Sequence, residues 1–269
     1  MMADDRVRRG RPNLRMVAVC FAACLGVIVH SSAEAAAALT TKQTQCTNLV
    51  VLGARGSGQG MNEGKAPGFG PQASGAARAA VARVTRSGSV RFAKLPYDAV
   101  KLGTVFQNMA NGKYNGSVQS GAKLLRSVLT SIKKSCGTRT AFLLVGYSQG
   151  AEVIRTAVAS GLARDVRDRI AGIGLIGDPT YRGLARSPID AGTHDNFGGL
   201  VVGKGRRSGG AIPADLSANT VHLCQPRDPV CNNVAALKEV EHTQYYVSTA
   251  SQGRIGASIY NRLAANGFR

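Results

Sequence analysis

Apolar positions along this chain fall into two alternating patterns. "TNLVVLGA" (47–54) is a short continuous apolar run, the mark of a strand covered on both faces. The Ala-rich "PQASGAARAAVARVTR" (71–86) then reads as a helix, and "SVRFAKLPY" (89–97) alternates as a strand does. In "SVQSGAKLLRSVLTSIKKS" (117–135), Val118, Leu124, Leu125, Val128, Leu129 and Ile132 fall largely on one helical face. "TAFLLVG" (140–146) is a second buried strand, and "QGAEVIRTAVASG" (149–161) a helix closed by glycine. "IAGIGLIG" (170–177) and "TVHLC" (220–224) are further strands, and "GRIGASIYNRLAANG" (253–267) is a terminal helix. Strands alternating with helices predict an α/β fold: a mostly parallel central sheet with helices on both faces.

The first 35 residues stand outside this pattern. "MMADDRVRRGRPNLR" is a charged head with five arginines, "MVAVCFAACLGVIV" (16–29) is an apolar run of 14 residues, and "HSSAEAAAA" offers small-residue cleavage sites. That order reads as a signal peptide, since a spanning helix needs about 20 apolar residues. Residues 1–35 are therefore expected to leave, with cleavage near Ala35 or Ala38, and 36–269 to form one domain of a secreted protein. Of the whole chain, 44% is hydrophobic, enough for a core, and 33 glycines predict tight turns and close backbone approaches.

Removing the leader leaves Cys46, Cys136, Cys224 and Cys231. An even number in an exported chain reads as disulfides. Cys224 and Cys231 can close a short loop, which leaves Cys46 with Cys136. The spacing lacks paired C-x-x-C ligands, so no metal site is expected. The net charge of +19 becomes +17 without the leader, whose five arginines face Asp4, Asp5 and Glu34. Such a surface favours anionic lipids or acidic polymers. No nucleic-acid-binding signature is present, and with 5% aromatics there is little for bases to stack on. The basic, Gly-rich "GTHDNFGGLVVGKGRRSGG" (192–210) reads as a surface loop. It nearly matches a phosphate loop, but Gly205 stands where Ser or Thr should follow the lysine.

Candidate chemistry gathers at "GYSQG" (146–150), which fits G-x-S-x-G between a buried strand and a helix. In such an elbow Ser148 stands at the carboxyl edge of the sheet, and the flanking glycines admit the close strand and helix. The bland alternative is a serine that merely caps the helix. A serine nucleophile needs a base. His30 leaves with the leader, His194 sits in the glycine-rich loop, and His222 lies on a strand. His242 follows the strands, as the order Ser, acid, His requires. For the acid, Asp178 ends a strand, while Asp228 lies between Cys224 and Cys231, where a disulfide would hold its carboxylate. Both stay open at this point, with Asp228 favoured. The oxyanion hole calls for the N–H of Gln149 and a donor from "LGARGSGQG" (52–60), where Ser57 offers both N–H and hydroxyl.

Together these residues resemble the cutinase family of serine esterases, including the cutinase-like proteins of actinobacteria. The resemblance rests on "ARGS" (54–57), "GYSQG" (146–150), "DPVC" (228–231), His242 and the four cysteines, and spans about residues 46–265. It implies a small, lidless α/β-hydrolase. Ser148 becomes the nucleophile, Asp228 the acid and His242 the base, with Ser57 and Gln149 as the oxyanion hole. The implied disulfides are Cys46–Cys136 and Cys224–Cys231. The long basic loop and the high charge depart from the family.

The expected reaction is carboxylic-ester hydrolysis through an acyl-enzyme, with no metal or organic cofactor. Short to medium acyl esters of a polymer or lipid are the first substrate class, polysaccharide acetyl groups the second, and phospholipids or thioesters the third. The protein is expected to act as a monomer, held to an anionic wall or lipid surface by its charge. A non-catalytic wall-binding protein on the same fold is the alternative from another class.

Overall fold

A computed structural model of the 269-residue chain describes residues 46–85, 88–181, 210–232 and 239–269. The expected signal peptide, His30, His194 and nearly all of the glycine-rich loop lie outside the described residues.

Five strands, β1 (Leu49–Ala54), β2 (Val90–Lys94), β3 (Ala141–Tyr147), β4 (Ile170–Ile176) and β5 (Thr220–Leu223), form one sheet in the order β2-β1-β3-β4-β5. Every pairing among them is parallel. β1, β3 and β4 are buried along their whole length, which is why they read as unbroken apolar runs. Their residues still divide by parity. Val50, Leu52, Phe142 and Leu144 enter a core cluster on one face, while Leu49, Val51, Leu143 and Val145 enter a second on the other.

Helices cover both faces. The first cluster takes its other wall from α3 (Lys113–Cys136), which buries Val118, Leu125, Val128, Leu129 and Ile132, and from α4 (Gln149–Ala159). The second takes its wall from α1 (Gly70–Val81) and α8 (Thr249–Ala265). The described residues also form four short helices: α2 (Val105–Ala110), α5 (Arg164–Arg167), α6 (Ala214–Ser217) and α7 (Glu239–Thr243). The sequence pattern finds the strands and long helices to within a few residues. It misses the short helices α2, α5, α6 and α7, each too short to show a helical period.

Two disulfides lie in the described chain, with the expected pairing. Cys46–Cys136 joins the chain ahead of β1 to the end of α3, and Cys224–Cys231 closes a loop after β5.

The strand order places a site. From β1 the chain moves to β2 on one side; from β3 it moves to β4 on the other. β1 and β3 are therefore the neighbours at which the winding reverses, and ligands of open α/β sheets bind beyond the carboxyl ends of such a pair. The segments that leave those two ends carry Ser57 and Ser148.

Candidate active site

Ser148 sits between β3 and α4 with φ 52° and ψ −122°, the sole described non-glycine residue with positive φ. That conformation is costly for a residue with a side chain and persists only where its surroundings impose it. They do so here. The Ser148 N–H donates to Ile176 O at 2.8 Å, which ties the turn to the end of β4. A side chain at Gly146 would meet the Gly150 carbonyl, and one at Gly150 would meet the Ala54 carbonyl. Both glycines are thus demanded by packing. Ser148 is the N-cap of α4, yet its side chain makes no capping hydrogen bond. Its hydroxyl is not used as a cap, and the residue is half-buried.

His242, on α7, and Asp228, in the Cys224–Cys231 loop, face each other. His242 Nδ1 lies 2.9 Å from Asp228 Oδ1 and 2.8 Å from Oδ2. Asp228 is wholly buried. Its Oδ1 also accepts from the backbone N–H of Val230 at 2.7 Å and of Cys231 at 3.4 Å. Its Oδ2 accepts from the Tyr246 hydroxyl at 2.7 Å. The second nitrogen, His242 Nε2, is buried and has no hydrogen-bond partner among the described residues.

Gly177 brings this pair to the elbow. It directly follows Ile176, whose carbonyl binds Ser148, and has φ 58°. A Cβ there would come within 2.8 Å of His242 Cε1 and 3.3 Å of Asp228 Oδ2. Glycine leaves the imidazole room beside the strand end.

Asp178, the rival acid, is engaged elsewhere. Its Oδ2 binds Arg155 Nε at 2.6 Å, and its Oδ1 accepts from the Thr180 N–H and hydroxyl at 2.8 and 2.7 Å. Arg155 Nη2 donates to His222 Nδ1 at 3.1 Å. Burial, and then the Arg155 charge, push the His222 pKa down to about 4. His222 is therefore a neutral acceptor in a structural ion-pair network.

The loop after β1 packs onto the elbow. A Cβ at Gly56 would lie 2.7 Å from Tyr147 Cδ1 and 3.2 Å from Ser148 Cβ. The neighbouring Ser57 hydroxyl donates to Gln149 Oε1 at 3.0 Å, and so does the Val100 N–H at 3.0 Å. Gln149 Nε2 donates to Ser117 Oγ at 3.0 Å, and the Ser117 hydroxyl to Asp98 O. The buried Gln149 side chain thus fastens two loops and α3 around the turn. Gln149 is the first residue of α4, and its amide has a scaffold role that sequence reasoning does not supply.

With this geometry in view, the family model of the cutinases matches residues 45–255. The chain belongs to the cutinase family. Among curated relatives it is 29% identical to carboxylesterase Culp1 of Mycobacterium tuberculosis, over 55% of this chain and 57% of that protein. The chain thus spans little more than half the length of this relative. It is 28% identical to cutinase CUT2 of Pyricularia oryzae, over 76% of this chain and 82% of that one. The fold resembles the catalytic core of acetyl xylan esterase from Trichoderma reesei, with TM-score 0.58 and 20% identity over 82% of this chain and 99% of that one. It also resembles a cutinase-like protein from Cryptococcus sp., with TM-score 0.55 and 21% identity over 82% of this chain and 95% of that one.

Within this cutinase-family fold, four residues that the sequence pattern does not single out support the site. Tyr147 lies against His242, and Tyr246 donates to Asp228. Gln59 Nε2 donates to Gln72 Oε1 at 2.5 Å, and Gln72 Nε2 to Thr243 O at 2.9 Å, linking the loop after β1 to the residue beside His242. The signal for Tyr147 is present in the elbow motif itself. The other three are found from contacts alone. Among the described residues, no group of His, Cys, Asp or Glu side chains is arranged to hold a metal ion.

Proposed function

We propose that this protein is a secreted carboxylic ester hydrolase in which Ser148 is the nucleophile, His242 the general base and Asp228 the acid that orients it. The observation that carries this is the His242–Asp228 pair: both carboxylate oxygens engage Nδ1, and Nε2 has no hydrogen-bond partner among the described residues. In a triad Nδ1 is held by the acid, while Nε2 takes the nucleophile's proton. As Ser148 Oγ attacks the ester carbonyl, its proton passes to Nε2. The imidazolium then gives that proton to the leaving alcohol. Water, deprotonated by the same nitrogen, releases the acid from the acyl-enzyme.

The negative oxygen of each tetrahedral intermediate is stabilised by the N–H of Gln149 and by Ser57. Removing one such donor costs about 3 kcal/mol of transition-state stabilisation in comparable enzymes. The N-terminus of α4 adds its positive dipole end at the same place.

Short to medium acyl esters, in a polyester or lipid, are the substrate class best supported. Leu102, 51% exposed, packs beside Gly58 in the loop after β1 that carries Ser57, where it could cover part of an apolar acyl chain. The acetyl xylan esterases that share the fold make polysaccharide acetyl groups the second reading. Export is supported by the leader-like sequence of residues 1–35 and by the two disulfides, which belong to an oxidising compartment. No helix among the described residues is long and apolar enough to cross a membrane.

The test is hydrolysis of p-nitrophenyl esters from acetyl to palmitoyl, by the purified protein and by Ser148→Ala. Turnover by the first alone, with its maximum at butyryl to octanoyl, is the expected result. A maximum at acetyl, with release of acetate from acetylated xylan, would favour the second reading. No turnover on any ester would overturn the assignment.

A further inference from the structure

Asp228 is held from two sides, and one of them is a tyrosine outside the usual trio. Tyr246 lies in a 3-10 turn (Tyr245–Val247), four residues after His242, and is 1% exposed. Its hydroxyl accepts the Gln225 N–H at 2.9 Å and stands 2.7 Å from Asp228 Oδ2. A phenol has one proton to give. With Gln225 supplying the incoming bond, that proton points to the carboxylate. Cys231 Sγ, at 3.7 Å, is the more distant and weaker partner. Burial first, and then the Asp228 charge, lift the phenol pKa well above its ordinary value, so Tyr246 stays a donor.

The consequence lies in how the carboxylate is pinned. Oδ1 takes the N–H of Val230 and of Cys231; Oδ2 takes Tyr246. Each oxygen therefore has a donor besides His242, and the group cannot rotate without breaking one. We propose that Tyr246 is a positioning residue for ester hydrolysis: its hydroxyl fixes the Asp228 carboxylate against His242 and sets how strongly that carboxylate attracts the imidazolium. This rests on the Ser148–His242–Asp228 reading above.

Tyr246 also joins segments that are remote in sequence. It ties the Cys224–Cys231 loop to the turn that follows His242, and its ring meets Tyr147, His242 and Tyr245 edge-on at 6.0, 6.3 and 5.2 Å. The other charged groups nearby are Arg227, which precedes Asp228 in the loop and whose Nη2 pairs with Glu241 Oε1 at 2.9 Å; Glu241, whose carboxylate also accepts from the Gln225 side chain at 2.6 Å; and Arg254, which lines a small cavity beside the Tyr246 ring. Among the described residues, the side chains of these three bond to other partners than Asp228 and the Tyr246 hydroxyl.

The test compares Tyr246→Phe, Tyr246→fluorotyrosine (by genetic-code expansion) and the neighbouring Tyr245→Phe, reading kcat, KM and the pH profile of kcat/KM. Loss of the donor leaves Asp228 more basic and the imidazolium better stabilised. Tyr246→Phe should lower kcat about tenfold, leave KM within about twofold, and move the acid limb of the profile to higher pH. Fluorotyrosine is a stronger donor and should move the limb to lower pH. Tyr245→Phe should leave the limb in place. A tyrosine that only packs would change the melting temperature without moving the limb, and two unmoved limbs would overturn the inference. If Tyr246→Phe fails to fold, the fluorotyrosine variant alone decides. Ser148→Ala is assayed beside them. If it retains turnover, the triad reading fails and takes this one with it. If it is inert while the Tyr246 variants behave as wild type, only the present inference fails.

Discussion

The Tyr147 ring lies nearly parallel to the His242 imidazole, centroids 4.9 Å apart and planes 26° apart, and its hydroxyl forms a 3.0 Å hydrogen bond to the His242 carbonyl. The residue before the elbow serine thus supports the proposed base.

Tyr147→Leu removes both the stacked plane and the hydrogen bond. It should lower kcat about 10- to 100-fold, with a smaller change in KM, because the imidazole loses its support. Tyr147→Phe keeps the plane and should stay within about tenfold of wild type. Equal losses in both variants would place the effect in the hydroxyl.

Asp228→Asn and Asp178→Asn should fail in different ways. The first leaves His242 beside an amide and should cost about 10⁴ in kcat with the fold intact. The second deprives Arg155, 7% exposed, of its partner. It should cost about 3–5 kcal/mol of stability, read from urea unfolding. The folded fraction of Asp178→Asn should keep the wild-type pH profile. Loss of catalysis in Asp178→Asn at full stability would exchange the two roles.

Glu152 predicts a pH dependence of stability. It is buried on α4, its Oε2 accepts from Tyr114 at 2.9 Å, and burial together with the Asp178 charge pushes its pKa up to about 8. The folded protein therefore holds a proton that the unfolded chain releases near 4.5. That stabilisation is fully present below pH 4.5 and is lost as pH rises to about 8. Glu152→Gln keeps the acceptor and removes the titration. Its stability relative to wild type should rise by a few kcal/mol across that window and level off above it. A constant difference between the two proteins would contradict a neutral Glu152.

The two disulfides should also separate. Cys224→Ser with Cys231→Ser loosens the loop that holds Asp228 and should lower kcat about tenfold with little change in KM. Cys46→Ala with Cys136→Ala opens a span of 90 residues and should cost about 4–5 kcal/mol of stability, with catalysis of the folded fraction unchanged. Full activity in the first pair would show that the loop holds its shape without the bond.

Much of this was legible in the sequence because it is local. Buried strands, an amphipathic helix and an elbow motif each declare themselves within a dozen residues. Local pattern only favoured Asp228 over Asp178, since both follow strands, and the family resemblance chose Asp228; what occupies Asp178 instead was not legible. That partner is Arg155, which within "AEVIRTAV" resembles any polar helix residue and is revealed only by its buried pairing. Tyr246 donates to a residue 18 positions away and Gln72 to one 171 away, contacts that chain topology creates and no periodicity marks.

The central claim is that Ser148 is the nucleophile, and covalent capture tests it most directly. The protein is treated with an alkyl phosphonate fluoride, and its intact mass and peptide map are measured. A single adduct on the peptide that contains Ser148, absent in Ser148→Ala and strongly slowed in His242→Ala, is the predicted result. An unmodified Ser148 in the folded, disulfide-bonded protein, or an adduct elsewhere that accompanies loss of turnover, would contradict it.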